Sequence, residues 1–194
     1  MRLLKRSCLL LLFLFTLGMY AQESSILKTA LRLHEANYNM DFDSVASFTH
    51  PEVIARLGGK KAFTEKLDTD SQNGGYRKRL QLTAPVFQAG PVKTIGARKF
   101  CVITFRNPTR YFYEQPLDTG QMKKLLNDWK QIAATNEVYA EPNRNSINVK
   151  RVSKLVGVAD DQTGGQWKFF NFDDERQVEV FNSVFAAEKV QLGL

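Results

Sequence analysis

The spacing of the apolar residues changes once along this chain, and that change constrains the fold more than any other feature. Up to Leu67 the apolar residues recur every three or four positions, which is the spacing of one face of an α-helix. From Tyr76 onward they alternate with polar residues, which is typical of a strand with one buried face. Helices followed by strands predict an α+β fold with an antiparallel sheet, because a parallel sheet needs a helix between successive strands.

The helical part predicts one long helix and several short ones. His34 and Tyr38 lie on one apolar stripe of the long helix. Asp41 and Asp43 follow its end, and aspartate is a preferred cap at the start of a helix, so we expect them to cap a short second helix. The chain breaks again at His50, because the residue before a proline avoids helical geometry.

The strand part predicts a meander that a helix interrupts. Residues 80–86 alternate as a half-buried strand does, and residues 99–106 are apolar on both faces, which places them at the centre of the sheet. Residues 122–133 have the apolar spacing of an amphipathic helix. We therefore predict a helical insertion between strands at about residues 116–142.

The alternation shifts by one position within the strand that begins at Ile147. Val149 has the parity of Ile147, whereas Val152 and Val156 have the opposite parity. A β-bulge adds one residue to a strand and shifts its parity in this way. The sequence therefore predicts a bulge near Arg151.

The first 21 residues predict an export signal. Three cations, Arg2, Lys5 and Arg6, precede an unbroken apolar run over residues 9–15, and the small residue Ala21 follows. This apolar segment is shorter than the roughly 20 residues that cross a bilayer as a helix. We expect cleavage after Ala21, with a retained membrane anchor as the alternative.

Removal of the signal would leave a single domain over residues 22–194, in the periplasm or outside the cell, with no transmembrane segment. It would also lower the formal net charge from +7 to +4 and leave Cys101 as the one cysteine, so we expect no disulfide within the exported protein. Cys101 lies in an apolar strand pattern, where a buried structural role is expected.

Metal and nucleotide chemistry have little support in the sequence. The helix that contains His34 begins like a zinc-protease motif, but Tyr38 stands where the second histidine is required. The segment at residues 58–61 (GGKK) lacks the upstream glycine of a phosphate-binding loop. We expect no metal and no cofactor.

Two basic clusters, at residues 77–79 and 106–113, combine cations with aromatic residues, a mixture that is also found in single-strand nucleic-acid sites. Export and the modest net charge argue against nucleic acid. We interpret the cations as edge-strand residues that prevent sheet aggregation.

Three segments resemble the nuclear-transport-factor-2-like superfamily, which includes the ketosteroid-isomerase-like proteins. They are residues 48–54 (FTHPEVI), residues 57–63 (LGGKKAF) and the aromatic strand at residues 167–169 (WKF). The resemblance implies that N-terminal helices pack on a curved, cone-shaped antiparallel sheet. It implies a fold and not one activity, because this superfold includes enzymes, carriers and protein-binding modules.

Our leading hypothesis is an exported, non-catalytic module that binds a small apolar ligand or a protein partner in or on the cone. The residues expected to line a pocket between the long helix and the sheet are His34, Tyr38, Trp167 and Phe169.

Two alternatives stay open. The first is an isomerase or dehydratase with a carboxylate base in the cone, for which Asp41, Asp43 and His50 are the candidate catalytic residues. The second is a structural or dimerising protein, in which the aromatic outer face of the meander and the helix at residues 122–133 form the interface of a homodimer.

Overall fold

In a computed structural model, residues 25–194 of the chain are described, so the predicted export signal at residues 1–21 lies outside the described residues. Four helices come first: α1 over residues 25–38, α2 (Phe42–Phe48), α3 (Pro51–Arg56) and α4 (Gly59–Ser71). Four strands follow: β1 (Tyr76–Leu80), β2 (Phe87–Ala89), β3 (Lys93–Ile95) and β4 (Arg98–Tyr113). The remaining elements are α5 (Thr119–Ile132), β5 (Val138–Glu141), a 3-10 turn (Pro142–Arg144), β6 (Ser146–Ala159), β7 (Lys168–Asn171), α6 (Glu175–Val184) and α7 (Ala186–Leu192).

The strands form one antiparallel sheet, which confirms the predicted α+β class. The sheet is built on β4 and β6, which pair from Lys99 opposite Ala159 to Phe112 opposite Ser146. β1, β2 and β3 pair with the edge of β4 that faces away from β6. β5 and β7 pair with the edge of β6 that faces away from β4. The segment at residues 99–106 therefore lies at the centre of the sheet, as its apolar pattern predicts.

The predicted bulge near Arg151 is wrong, because the β4–β6 register runs through this position without interruption. Directly opposite residues share a face, so the odd-numbered residues of both strands lie on one face, here called the inner face, and the even-numbered residues on the outer face. Val149 is buried on the inner face and Val156 on the outer face. The apolar parity shifts because both faces of β6 are buried from Leu155 onward, so that Val156 and Val158 of the outer face are also core residues.

The predicted strand over residues 80–86 is also wrong beyond Leu80. β1 ends there, and the next strand begins only at Phe87. Pro85 has no N–H to donate to a neighbouring strand, and Val86 is 83% exposed.

Two apolar cores lie at the two ends of the β4–β6 pair, the larger one on both faces of the sheet and the smaller one on the inner face. The larger one joins α1 to the sheet and includes Ile26, Phe105 and Phe169. The smaller one lies under α5, where Trp129 stacks on Tyr111 with 3.9 Å between the ring centroids. The helix α5 begins and ends within the insertion predicted at about residues 116–142. No helix within residues 25–194 has both the length and the apolar character needed to span a membrane.

Between the two cores the sheet narrows to two strands. β1 pairs with residues 109–113 of β4, and β2 pairs with residues 103–105. On the other side, β5 pairs with residues 146–149 of β6, and β7 pairs with residues 155–158. Residues 106–108 of β4 therefore pair only with residues 150–152 of β6, and residues 150–154 of β6 pair only with β4, among the described strands. We call these residues the sheet waist.

Candidate functional site at the sheet waist

The four residues predicted to line one pocket occupy three separate places. His34 and Phe169 border a cavity of about 60 Å³ beneath α1. Trp167 borders a different cavity of about 580 Å³, and Tyr38 is a surface residue that borders neither. Because a water molecule takes up roughly 30 Å³, the cavity beneath α1 holds about two waters, and larger ligands require the core to open.

The candidate catalytic residues do not converge either. Asp41 caps α2, and its hydrogen bonds from Ser44 hold the pKa of its carboxyl below the usual value. Asp43 is exposed and pairs with Lys60 at 2.7 Å. His50 caps α3 and is completely buried. The cavity beneath α1 is bordered by none of these three candidates.

The inner face of the waist carries polar residues where the same face carries apolar residues at both ends. Asn107 Nδ2 donates to Ser153 Oγ at 2.9 Å, and Ser153 donates in turn to Asp173 Oδ2 at 2.5 Å. A guanidinium nitrogen of Arg151 lies 3.1 Å from the same carboxylate oxygen. Asn107 and Ser153 are buried, so this network satisfies polar groups that would otherwise be costly to bury.

Lys78 of β1 lies on the same face, opposite Tyr111 of β4. Burial lowers the pKa of Lys78, and the nearby charge of Arg151 lowers it further, whereas Asp70 and Asp173 act in the opposite direction. Burial also raises the pKa of the Tyr111 hydroxyl. The cations of the inner waist thus have carboxylates of the protein near them, and one of these, Asp173, forms an ion pair with Arg151.

The outer face of the waist is open. A groove of about 440 Å³ crosses it, and its floor contains Val152, which is 65% exposed although it lies in the middle of a central strand. Leu82 borders one end of the groove and Glu137 the other. We define the outer groove by Leu82, Arg106, Pro108, Glu137, Lys150 and Val152.

Cations dominate the outer face around this groove. Arg106, Lys150 and Lys154 are on its strands, and none of them forms an ion pair with a described carboxylate. The ammonium of Lys150 lies 5.2 Å from the ring centroid of Tyr139, within the range of a cation–π contact. By contrast, Arg110 pairs with Glu141 at 2.8 Å. The groove therefore combines an apolar floor with a net positive charge, since Glu137 is the one carboxylate among its lining residues.

Arg77 and Arg79 lie on β1, which is an edge strand, as the interpretation of the basic clusters requires. This interpretation is wrong for Arg106 and Arg110, which lie on β4 in the centre of the sheet. The sequence reasoning missed Lys150, although cations at alternate strand positions around an apolar residue are a signal of one shared open face.

No protein-family model, no curated protein and no solved structure matches this chain significantly. Within residues 25–194, no group of three or more histidine, cysteine, aspartate or glutamate residues is arranged to hold a metal ion. The function is therefore inferred from the geometry of the sheet waist.

Proposed function

We propose that this chain is an exported, non-catalytic binding module of the nuclear-transport-factor-2-like kind, with a cone-shaped sheet, and that its outer groove binds an extended acidic segment of a protein partner. The observation that carries the proposal is the contrast between the two faces of the waist. The outer groove is open and has a volume of about 440 Å³, whereas the cavity beneath α1 has about 60 Å³.

The chemistry of the groove supports a segment with one apolar side chain between acidic ones. Val152 and Pro108 offer an apolar floor, and covering an exposed valine contributes roughly 1–2 kcal/mol. Arg106 and Lys150 flank that floor without carboxylate partners, so carboxylates of the segment gain charge-assisted hydrogen bonds there.

The waist geometry supports an extended occupant. Because the sheet is only two strands wide there, a peptide can cross the outer face without meeting a neighbouring strand on either side. Export is supported by the basic and apolar pattern of residues 1–21. The enzyme alternative has less support, because Asp41 and Asp43 are exposed and are engaged on the surface, Asp41 as the cap of α2 and Asp43 with Lys60.

Fluorescence anisotropy with labelled synthetic decapeptides tests the proposal. We expect a peptide that alternates glutamate with leucine to bind, and peptides that alternate lysine with leucine or glutamate with serine to bind at least about tenfold more weakly. We also expect binding to weaken with added salt, because the attraction is partly electrostatic.

Two matched pairs of variants locate the binding surface. The R106A/K150A double variant should lose binding, whereas K28A/K123A removes the same charge from exposed positions on α1 and α5 and should not. V152S should weaken binding, and V190S, at an 80% exposed valine of α7, should leave it unchanged. Equal binding by R106A/K150A and K28A/K123A would overturn the proposal.

A further inference from the structure

A second cavity, of about 580 Å³, lies where α1, β4 and β7 meet, and it shares no lining residue with the outer groove. Its side chains come from separate parts of the chain, so the fold brings them together. Its lining includes Thr29 and Arg32 of α1, Phe48, Lys99 of β4, Trp167 directly before β7, and Lys168, the first residue of β7.

Three cations surround this cavity without a counter-charge. Lys99 and Lys168 are half-buried and Arg32 is exposed, and none of the three forms an ion pair with a carboxylate of the described residues. The described residues that line the cavity include no aspartate and no glutamate. Three like charges in one concave site create a positive potential that an anion relieves.

Local contacts hold two of the cations in position. Lys168 Nζ donates to the backbone carbonyl of Ser47 at 2.5 Å, and the guanidinium carbon of Arg32 lies 5.2 Å from the ring centroid of Phe48. Both side chains are therefore oriented before a ligand arrives, which reduces the entropy that binding would otherwise remove.

The other wall of the cavity is apolar. Trp167 is mostly buried but borders the cavity, and Phe48 and Ala159 border it as well. A volume of about 580 Å³ is within the range of small-molecule sites, roughly 300–1,000 Å³, and exceeds the size of an inorganic anion. The site therefore suits a molecule with both a charged and an apolar part.

We infer that this cavity binds a small organic anion in which a phosphate or sulfate group is attached to a flat apolar group. The planar guanidinium of Arg32 and the ammonium groups of Lys99 and Lys168 are the donors that tetrahedral oxyanions favour. The flat group would pack against Trp167. This inference does not depend on the proposed function of the outer groove.

Phenyl phosphate and phenyl sulfate are the probes, with inorganic phosphate and phenol as the controls for each half of the ligand. The chain has two tryptophans, Trp129 and Trp167, so an NMR titration shows one indole N–H signal for each. The signal that is absent from the Trp129→Phe variant belongs to Trp129. We expect at least one phenyl ester to shift the Trp167 signal and to leave the Trp129 signal unchanged. The two esters distinguish phosphate from sulfate, and inorganic phosphate and phenol should bind at least about tenfold more weakly.

Variants of the cations test the site directly. Lys99→Ala should weaken binding of the phenyl ester about tenfold or more, and Arg32→Lys should weaken it although the charge is kept, because the planar fork is lost. Lys28→Ala removes one exposed charge from the same helix as Arg32 and should change nothing. Unchanged thermal midpoints would show that these variants fold.

Two results would overturn the inference: a Trp167 signal that does not move at about 10 mM of either ester, or Lys99→Ala protein that binds as well as Lys28→Ala protein. The R106A/K150A variant should bind the ester with unchanged affinity, so failure of this site and failure of the outer groove are separate outcomes.

Discussion

His50 and Asp160, which are 110 residues apart in the chain, form a buried pair in which the imidazole Nε2 lies 3.4 Å from Asp160 Oδ2. The Nδ1 atom of the same ring accepts the backbone N–H of Glu52 at 3.3 Å. The neutral ring therefore carries its proton on Nε2 and donates it to Asp160. This pair joins the beginning of α3 to the end of β6, and the stacking of the same ring on Phe170 joins α3 to β7 as well.

Replacement of His50 by alanine should lower the free energy of unfolding by about 2–4 kcal/mol. The substitution leaves a cavity at a completely buried ring, removes the donor to Asp160 and removes the cap of α3. Urea denaturation followed by circular dichroism measures the change. His50→Asn, which keeps a short polar cap but cannot reach Asp160, should have an intermediate effect. A loss below about 0.5 kcal/mol for His50→Ala would contradict this role.

Stability should also decrease as the pH falls from about 7 to about 5. Burial lowers the pKa of both histidines, His34 and His50, below the ordinary value of 6.5. In this interval the unfolded chain therefore binds more protons than the folded one, and the free energy of unfolding falls as the pH drops through 6.5 toward the lower folded-state pKa values. Thermal midpoints at several pH values measure the effect.

The H34Q/H50N double variant is the control for this pH dependence. It lacks both groups, so its midpoint should change much less over the same interval. The carboxyls of Asp41 and Glu52 also have lowered pKa values, but their contributions are lost only at more acidic pH. Equal slopes for the wild type and the double variant would refute the assignment to histidine.

Local patterns in the sequence were sufficient to predict the elements whose stability is mainly local. The helix α5 follows the apolar spacing of residues 122–133, and Asp41 caps α2, where aspartate is a preferred cap. The order of helices before strands also predicted the fold class. The cone shape of the sheet and the export of the protein are proposals that rest on sequence features.

The candidate sites could not be predicted in the same way, because they depend on where neighbouring strands end. The waist exists because β1 and β5 stop short of β2 and β7, and strand ends depend on tertiary pairing. Val152 looks like a core residue in the sequence, yet it lies in the open groove. The cavity beside Trp167 joins three distant segments, which no local pattern reveals.

Replacement of Ser153 by alanine should lower the free energy of unfolding by about 1–3 kcal/mol. The serine hydroxyl accepts from Asn107 and donates to Asp173, so its removal leaves two largely buried polar groups without this partner. Ser47→Ala is the matched control, since Ser47 is exposed and its hydroxyl bonds only within its own helix turn. If both variants lose the same stability in urea denaturation, the network at the inner waist does not stabilise the fold.

Replacement of Gly157 by alanine should destabilise the protein by about 1–3 kcal/mol, although alanine is usually more favourable than glycine inside a strand. A methyl group at this position of β6 would lie 2.7 Å from Cδ1 of Ile26 and 3.2 Å from a ring carbon of Phe169, so the Ile26 side chain or the whole of α1 would have to shift. Ile26→Val removes the Cδ1 atom. We therefore expect it to be destabilising in the wild type and nearly neutral or stabilising in the G157A background, a non-additivity that a double-mutant cycle in urea measures. Gly74→Ala, at a loop glycine with open space around it, should be neutral. Additive effects of G157A and I26V would mean that this close approach does not determine how α1 packs.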